Sequence, residues 1–249
     1  MTSLWFIVPA HGRFDLTRVC LRQLRRTCDA MRAYDIDATA VVIADDENLD
    51  VAADLGFATV RRDNHQLGRR FNDGHQFACD PAYSPSPADF VVPCGSDDWV
   101  DPVIFQRLPA PGVIGVFTWQ STVSEDRTRL QRQRVGYKCG SGIRIIPRDL
   151  IAAAGYRPCR EHARSGVDTT AVEGIKTAIG EFPATVCLDV HPLQIVDFKS
   201  RRAQIHSYSS LRGFGRGPES IDPFGDLAGF YPEAVEELQA ITQQVAIAA

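Results

Sequence analysis

Two adjacent carboxylates follow a short apolar run in the stretch FVVPCGSDDWVDP, residues 90–102. The run reads as a buried strand, whereas Asp97 and Asp98 after it are like charges that repel each other and resist loss of water. Such a pair needs either water or a cation beside it. Because Mg²⁺ and Mn²⁺ prefer hard oxygen ligands, the pair favours metal binding over a plain turn.

Charged side chains also follow two earlier apolar runs. His11 and Arg13 come after LWFIVPA, and Asp45 and Asp46 come after ATAVVIA. If the runs are parallel strands, their carboxyl ends meet at the edge where open α/β sheets bind ligands. The set therefore predicts a cation with a phosphate ligand, although an Asp after a strand also commonly forms a turn or a helix cap.

The sequence contains no glycine-rich phosphate loop. Neither G-x-x-x-x-G-K-[ST] nor G-x-G-x-x-G follows the first apolar run. A P-loop kinase and a Rossmann dehydrogenase are therefore poorly supported. A phosphate site without such a loop must rely on a metal and on Arg, and the residues above supply both.

The elements that must position these residues alternate between strand and helix over the first hundred residues. Apolar runs predict strands, and segments with helical spacing such as DLTRVCLRQLRRTCDAM and LGRRFNDGHQFACD lie between them. The alternation indicates an α/β fold with a mostly parallel, Rossmann-like sheet flanked by helices. PEAVEELQAITQQVAIA closes the chain as an amphipathic helix with Val235, Leu238, Ile241 and Val245 on one face.

The second half of the chain is more irregular. QSTVSEDRTRLQRQRVGYKCG and HSYSSLRGFGRGPESIDPFGD predict long loops of the kind that form lids or binding surfaces. We expect one domain over residues 1–249, divided into residues 1–110, residues 111–210, and a C-terminal loop and helix over residues 211–249.

The composition of the chain argues against several classes of function. The 249 residues carry a net charge of −4, which gives no global attraction to nucleic acid or to an acidic membrane. Seven Cys without a C-x-x-C pair predict reduced thiols and a cytoplasmic location. The N-terminus lacks a signal-peptide pattern, and no apolar run approaches the ~20 residues that cross a bilayer.

Six stretches, in order over roughly residues 4–210, resemble the family 2 glycosyltransferases of the GT-A nucleotide-sugar fold. FIVPAHGRFDLTRVCLRQL is similar to the family's opening strand, turn and helix, and VVIADDEN to its second strand. NHQLGRRFNDGHQFA resembles its N-x-G-x-x-x-A-R-N-x-G helix, and FVVPCGSDDWVDP its D-S-D-D metal motif. GSGIRIIPRDLIAAAGYRP and SGVDTTAVEGI are similar to the segments that lead to its acceptor site and catalytic base.

The resemblance implies a role for each matching residue. Pro9, Ala10 and Arg13 would border the nucleoside, and Asp45 would accept a hydrogen bond from the base. Asn72 would lie near the ribose or diphosphate. The remaining implied residues are Asp97 and Asp98 as ligands of Mn²⁺ or Mg²⁺ at the sugar-phosphate end, His206 as a further metal ligand, and Asp168 as the general base.

Three positions depart from the family pattern. Gly95 stands where the first Asp of D-S-D-D is usual, so metal coordination falls on Asp97 and Asp98. Phe71 replaces the usual Arg before Asn72, with Arg69 and Arg70 just upstream. Val167 replaces the usual Glu before the base, which leaves Asp168 alone.

Several of these interpretations have competitors. Asp168 would also serve as a helix N-cap, with Asp189 or Glu173 as the base instead. His191 competes with His206. The arginines at 127, 129, 132 and 134 would face either an anionic acceptor such as DNA or simply solvent.

The sequence thus predicts a metal-dependent glycosyltransferase that moves a sugar from a nucleoside-diphosphate sugar to an acceptor hydroxyl, with inversion. The acceptor is open: a glycan, a protein, a small molecule or a modified nucleic acid. The alternatives are a nucleotidyltransferase on a related sheet and a nucleotide- or sugar-binding module without catalysis.

Overall fold

A computed structural model describes residues 1–134, 143–163, 167–199 and 216–247. Apolar, β-branched runs form most of its strands, because such side chains pack well on a pleated surface. The strands are β1 (Thr2–Pro9), β2 (Ile36–Ala44), β3 (Ala58–Arg61), β4 (Phe90–Pro93), β5 (Asp98–Val100), β6 (Val113–Phe117), β7 (Trp119–Val123), β8 (Leu130–Arg134), β9 (Arg144–Pro147), β10 (Ala184–Leu188), β11 (Ile195–Phe198) and β12 (Arg216–Ser220).

The helices lie mainly between these strands. They are α1 (Phe14–Ala30), α2 (Asn48–Asp54), α3 (Leu67–Cys79), α4 (Arg148–Ala153), α5 (Val167–Ile179), α6 (Pro223–Ala228) and α7 (Pro232–Ile247). Short 3-10 helices span Met31–Tyr34, Pro102–Phe105 and Pro192–Gln194. In the described parts of the chain, no helix is both long and apolar enough to cross a membrane.

The larger sheet has seven strands in the order β10-β6-β9-β4-β1-β2-β3. β1 pairs in parallel with β2 and β4, and β2 pairs in parallel with β3. Among the described strands of this sheet, only β9 runs against its neighbours, β4 and β6. The mostly parallel sheet predicted from the alternating elements is therefore confirmed.

A second sheet of five strands, in the order β12-β8-β7-β11-β5, was not anticipated. The stretch QSTVSEDRTRLQRQRVGYKCG was expected to be a loop, but its described part contains most of β7 and all of β8, which form an antiparallel hairpin. The described part of the other predicted loop contains β12 and the start of α6. Both loop predictions were wrong there, because pairing with distant strands stabilises these polar segments.

Helix α1 packs against both sheets. Its Leu21 and Leu24 join the core beneath β1 and β2, whereas Leu16 and Val19 join a second core. That second core also includes Val235 and Leu238, which confirms the apolar face predicted for the C-terminal helix at these two positions. One helix therefore contributes side chains to the cores beneath both sheets.

Candidate active site

The strand ends expected to converge do so in the structure. Because β1 lies between β2 and β4 and all three are parallel, the residues that follow them share one edge. Backbone bonds extend the pairing past the strands, from the Ala10 N–H to the Ile43 carbonyl (2.9 Å) and from the Cys94 N–H to the Ile7 carbonyl (3.0 Å). The predicted acidic residues therefore surround the carboxyl end of β1.

The turn after β1 brings a guanidinium to the metal motif. Gly12 and Arg13 both have left-handed backbone angles, with φ of 57° and 49°. This conformation costs a non-glycine residue energy and concentrates at functional sites. It aims Arg13 at the end of β4, where Nη1 lies 2.5 Å from Asp97 Oδ2 and Nη2 donates to Ser96 Oγ (3.0 Å).

Asp97 and Asp98 are joined by a third carboxylate, Asp197. β5 and β11 pair antiparallel, with Asp98 directly opposite Asp197 in the register. Carboxylate oxygens of the three residues lie within 4.8 Å of one another, a separation that a single metal ion can span. Like charges opposite each other destabilise a sheet unless a cation or a proton offsets them.

The acidic cluster, formed by Asp97, Asp98 and Asp197, brings like charges close together. Burial, followed by the charges of Asp197 and Asp97, raises the pKa of Asp98 well above its usual range. Burial also raises the pKa of Asp197, although the Lys199 ammonium beside it acts in the opposite direction. Burial alone would lower the pKa of Lys199, but the three carboxylates outweigh it and raise that pKa, so the ammonium stays charged.

Gly95 explains how the carboxylates approach so closely. Its N–H donates to Asp98 Oδ2 at 2.6 Å. A Cβ at this position would lie 2.7 Å from an oxygen of both Asp97 and Asp98, closer than atoms approach without displacement. The departure from the family pattern thus lets both carboxylates lie over the backbone of Gly95, and their oxygens form a donor set that suits Mn²⁺ or Mg²⁺.

A second acidic group follows β2. The His11 ring nitrogen Nδ1 lies 3.3 Å from Asp45 Oδ1 and 3.6 Å from Asp46 Oδ2. Asp46 holds the local turns together, since it accepts from the Gly12 N–H (2.9 Å) and from the Asn48 backbone (3.1 Å). Asp45 is more exposed, so its carboxylate is the one available to a ligand.

Arg70, noted in the sequence only as lying upstream of Phe71, has a clear role in the structure. It is buried, and it donates to the carbonyls of Ala10 and Ile43 and to Asn64 Oδ1 (2.7 Å). Burial lowers its pKa, while nearby carboxylates, first that of Asp45, oppose the shift. Its cation therefore supports the backbone beneath the predicted nucleoside site, where Pro9 and Ala10 are themselves buried.

Asn72 lies away from this edge. Its side chain has no exposed surface, donates to the Cys159 carbonyl (2.8 Å) and accepts from the Cys159 N–H (2.8 Å). A nucleotide would have to break one of these bonds to reach it. In the structure Asn72 anchors the 157–163 segment to α3, and it does not join the residues at the strand ends.

The remaining predicted residues fall in the second half of the chain. Helix α5 begins at Val167, so Asp168 lies in its first turn rather than before it. His206 lies outside the described residues. Its competitor His191 caps the 3-10 helix that follows it, by accepting from the Leu193 N–H at Nδ1 (3.3 Å).

The competing base candidates have partners of their own. Asp189 accepts from Thr118 Oγ1 at 2.8 Å, and Glu173 pairs with Arg160 at 2.8 Å.

The arginines expected to face an acceptor or solvent are mostly paired within the fold. Arg127 donates to Thr242, Arg132 pairs with Asp226 (3.1 Å), and Arg129 lies 3.8 Å from Glu219. These partners lie in or beside the C-terminal elements, so three of the four guanidinium groups help to hold that region. Arg134 is exposed at the end of β8.

The fold defines a class: the chain has a GT-A-type fold. A mutant of Drosophila β-1,4-galactosyltransferase 7, solved with manganese, UDP-Gal and xylobiose, superposes with a TM-score of 0.50. The match covers 89% of this chain and 84% of that one at 9% identity, so the likeness is one of fold alone.

Two other similar structures have lower TM-scores. Glucosyl-3-phosphoglycerate synthase from Mycobacterium tuberculosis, with Mn²⁺, UDP and phosphoglyceric acid, gives 0.44 at 13% identity over 97% of this chain and 78% of that one. The 4-diphosphocytidyl-2C-methyl-D-erythritol synthase from Anaerococcus prevotii also gives 0.44, at 11% identity over 76% and 90%. No protein-family model and no curated protein sequence matches the chain.

Proposed function

We propose that this protein is a glycosyltransferase that moves a sugar from a nucleoside-diphosphate sugar to an acceptor hydroxyl, with inversion and with a divalent cation. The observation that carries the proposal is the acidic cluster at the carboxyl edge of a GT-A-type sheet. The oxygens of its three carboxylates lie within 4.8 Å of one another and are of the type that Mn²⁺ and Mg²⁺ prefer.

Each part of the site has a role in this proposal. Asp45 accepts a hydrogen bond from the nucleobase, while Pro9, Ala10 and Arg13 border the nucleoside. Asp97 and Asp98 hold the cation, with His206 as a further ligand. A bound Mn²⁺ or Mg²⁺ would neutralise charge on the diphosphate leaving group.

The chemistry of transfer needs one base. The Asp168 carboxylate removes the proton from the acceptor hydroxyl as that oxygen bonds to the anomeric carbon. The bond from the anomeric carbon to the diphosphate oxygen breaks, and its electron pair leaves with the nucleoside diphosphate. A single base suits direct displacement, because the acceptor attacks on the face opposite the leaving group.

Calorimetric titration tests the metal role. Nucleoside diphosphates are titrated into the protein with EDTA and then with Mn²⁺, and we expect measurable binding only with the metal. Asp97→Asn and Asp98→Asn should each weaken nucleotide binding by about tenfold or more, because a neutral amide replaces a charged carboxylate ligand. Asp29→Asn, at an exposed α1 carboxylate paired with Arg25, is the matched control and should bind as the wild type does.

A donor screen separates the alternatives. A glycosyltransferase releases nucleoside diphosphate from one nucleotide sugar, and a nucleotidyltransferase releases pyrophosphate from a nucleoside triphosphate. A binding module releases neither. Equal nucleotide affinity in EDTA and in Mn²⁺ would remove the metal from the proposal.

A further inference from the structure

Each carboxylate of the acidic cluster has a different partner within the chain. Arg13 Nη1 lies 2.5 Å from Asp97, the Gly95 N–H donates to Asp98 at 2.6 Å, and the Lys199 ammonium pairs with Asp197. Three negative groups thus face two positive side chains and one backbone dipole. Without a metal, Arg13 and Lys199 supply the two full positive charges that offset the repulsion among the carboxylates.

The backbone holds Lys199 at this place. Its N–H donates to the Val123 carbonyl of β7 (3.0 Å), and the Phe198 N–H donates to the Asp97 carbonyl (2.9 Å). The Lys199 side chain is 12% exposed and that of Asp197 is 20% exposed. The ammonium therefore stays among the carboxylates, where it also interacts with the charges of Asp97 and Asp98.

A divalent cation on Asp97 and Asp98 would meet that ammonium at close range. Two positive ions in a half-buried site repel each other strongly, since water screens them less than it does at the surface. While Lys199 holds Asp197, moreover, this third carboxylate is not free to coordinate. The ion pair thus lowers the affinity for metal in two ways.

We infer that Lys199 lowers the metal affinity of this site. Its ammonium is a built-in monovalent cation that competes with the divalent one and keeps Asp197 from coordinating it. The inference rests on the proposed metal role of Asp97 and Asp98, but it adds a residue that neither the family pattern nor the acidic motif identifies.

Lys199→Gln tests this, because glutamine keeps a hydrogen-bond donor for Asp197 and removes the charge. Binding of Mn²⁺ alone is followed by the electron paramagnetic resonance signal of the free ion. We expect Lys199→Gln to bind Mn²⁺ about tenfold more tightly than the wild type. Mn²⁺ should also raise the melting temperature of the variant more than that of the wild type, since a ligand stabilises the state that binds it.

Two further variants serve as controls. Lys176→Gln makes the same change in net charge at an exposed residue of α5, whose ammonium lies over the Phe182 ring. This variant should leave the Mn²⁺ affinity unchanged. Lys199→Arg keeps the charge and should bind Mn²⁺ as the wild type does. If metal-free Lys199→Gln proves unstable, it can be folded in Mn²⁺ and its affinity measured by competition with a chelator.

The outcomes are distinct. If the wild type binds Mn²⁺ and Lys199→Gln binds it equally or less tightly, the inference is wrong and the metal site stands. If Lys176→Gln tightens binding as much, net charge and not Lys199 is responsible. If neither the wild type nor Lys199→Gln binds Mn²⁺, the proposed metal role and this inference both fail.

Discussion

Asp168 lies in the first turn of α5, where the helix dipole favours a carboxylate whether or not it also acts as a base. Asp168→Asn keeps the size and shape of the side chain and removes its basicity. We expect folding and donor affinity to survive and transfer to fall by about 10²-fold or more, the usual contribution of a positioned base. The melting temperature and the rate of transfer are the two measurements.

A purely structural Asp168 gives a different pattern. Transfer by Asp168→Asn at the wild-type rate would place the base elsewhere, and Glu173→Gln and Asp189→Asn would be examined next. Asp149→Asn, at a carboxylate in the first turn of α4, is the matched control, because β9 runs against β4 and places the start of α4 at the opposite edge of the sheet.

His75 is a buried titratable group whose effect appears in the pH dependence of stability. Burial lowers its pKa to about 4, because the charged imidazolium is disfavoured more than the Phe71 backbone stabilises it. The unfolded chain titrates near 6.5, so it binds a proton between these values while the folded chain does not. The free energy of unfolding should therefore fall by about 1.5 kcal/mol from pH 6.5 to pH 5.

His75→Leu removes the titrating ring, and urea unfolding of this variant between pH 6.5 and pH 5 should show a smaller loss of stability. His65→Leu changes an exposed histidine close in sequence and should keep the wild-type slope. An unchanged slope in His75→Leu would mean that the imidazole is not responsible for the acid sensitivity.

The site residues that could be predicted from the sequence are those that directly follow apolar runs. Asp97, Asp98, Asp45 and Arg13 stand at strand ends, and the parallel sheet brings those ends together. Asp197 was missed because it joins them by pairing with β5 across a long sequence separation. The acid and base at the end of QIVDFK were the available signal, but nothing local indicates which strand they meet.

At the scale of elements, the 157–163 segment is held between α3 and α5 by two glycines. A Cβ on Gly68 would lie 1.9 Å from the Arg160 carbonyl oxygen, and one on Gly174 would lie 1.9 Å from that of Pro158. The Gly68 N–H also donates to the Ala163 carbonyl at 3.0 Å. Both helices are thus fitted to the backbone of this segment, which leads toward Asp168.

Gly68→Ala should disturb the packing of α3 against the 157–163 segment. Alanine favours a helix by about 1 kcal/mol over glycine, yet the clash with a backbone oxygen should more than offset that gain. We expect a net loss of about 1–3 kcal/mol in the free energy of unfolding, measured in urea. Gly229→Ala is the control, because its Cβ would meet nothing within 4 Å and its backbone is already right-handed.

If Gly68→Ala is as stable as Gly229→Ala, the segment is not packed as closely as the structure indicates.

Elements were predictable where one face is apolar. β1, β2 and α1 follow from local patterns, whereas β8, with the sequence LQRQR, carries two arginines and two glutamines. Its Leu130 and Gln133 are buried only because β7 and β12 lie on either side. The second sheet therefore could not be found from hydrophobic spacing.

At the scale of the whole molecule, the reactivity of the thiols tests the prediction that they are reduced. Cys20, Cys28, Cys79 and Cys94 are free and buried, Cys159 is also buried, and Cys187 is free and exposed on β10. Burial raises the pKa of Cys28 and Cys79 to about 12, so little thiolate forms there. Cys187→Ser should therefore remove one fast-reacting thiol from the native protein, measured with a chromogenic disulfide, while Cys28→Ser removes none.

In denaturant without reductant, all seven thiols of the sequence should react. Three protected pairs would contradict a reduced protein.

The insertion of β9 between β4 and β6 has a consequence for biosynthesis. A chain that emerges from its N-terminus can pair β1, β2, β3 and β4 early, but one edge of β4 stays open until residue 147 has been made. Asp98 remains unpaired for longer, because β11, which pairs with β5, ends at Phe198. At about 5–20 residues per second, the ribosome presents an unpaired strand edge close to Asp98 for several seconds, before β11 has been made. Such a nascent chain exposes the kind of surface that chaperones bind, and the active site is among the last parts to form.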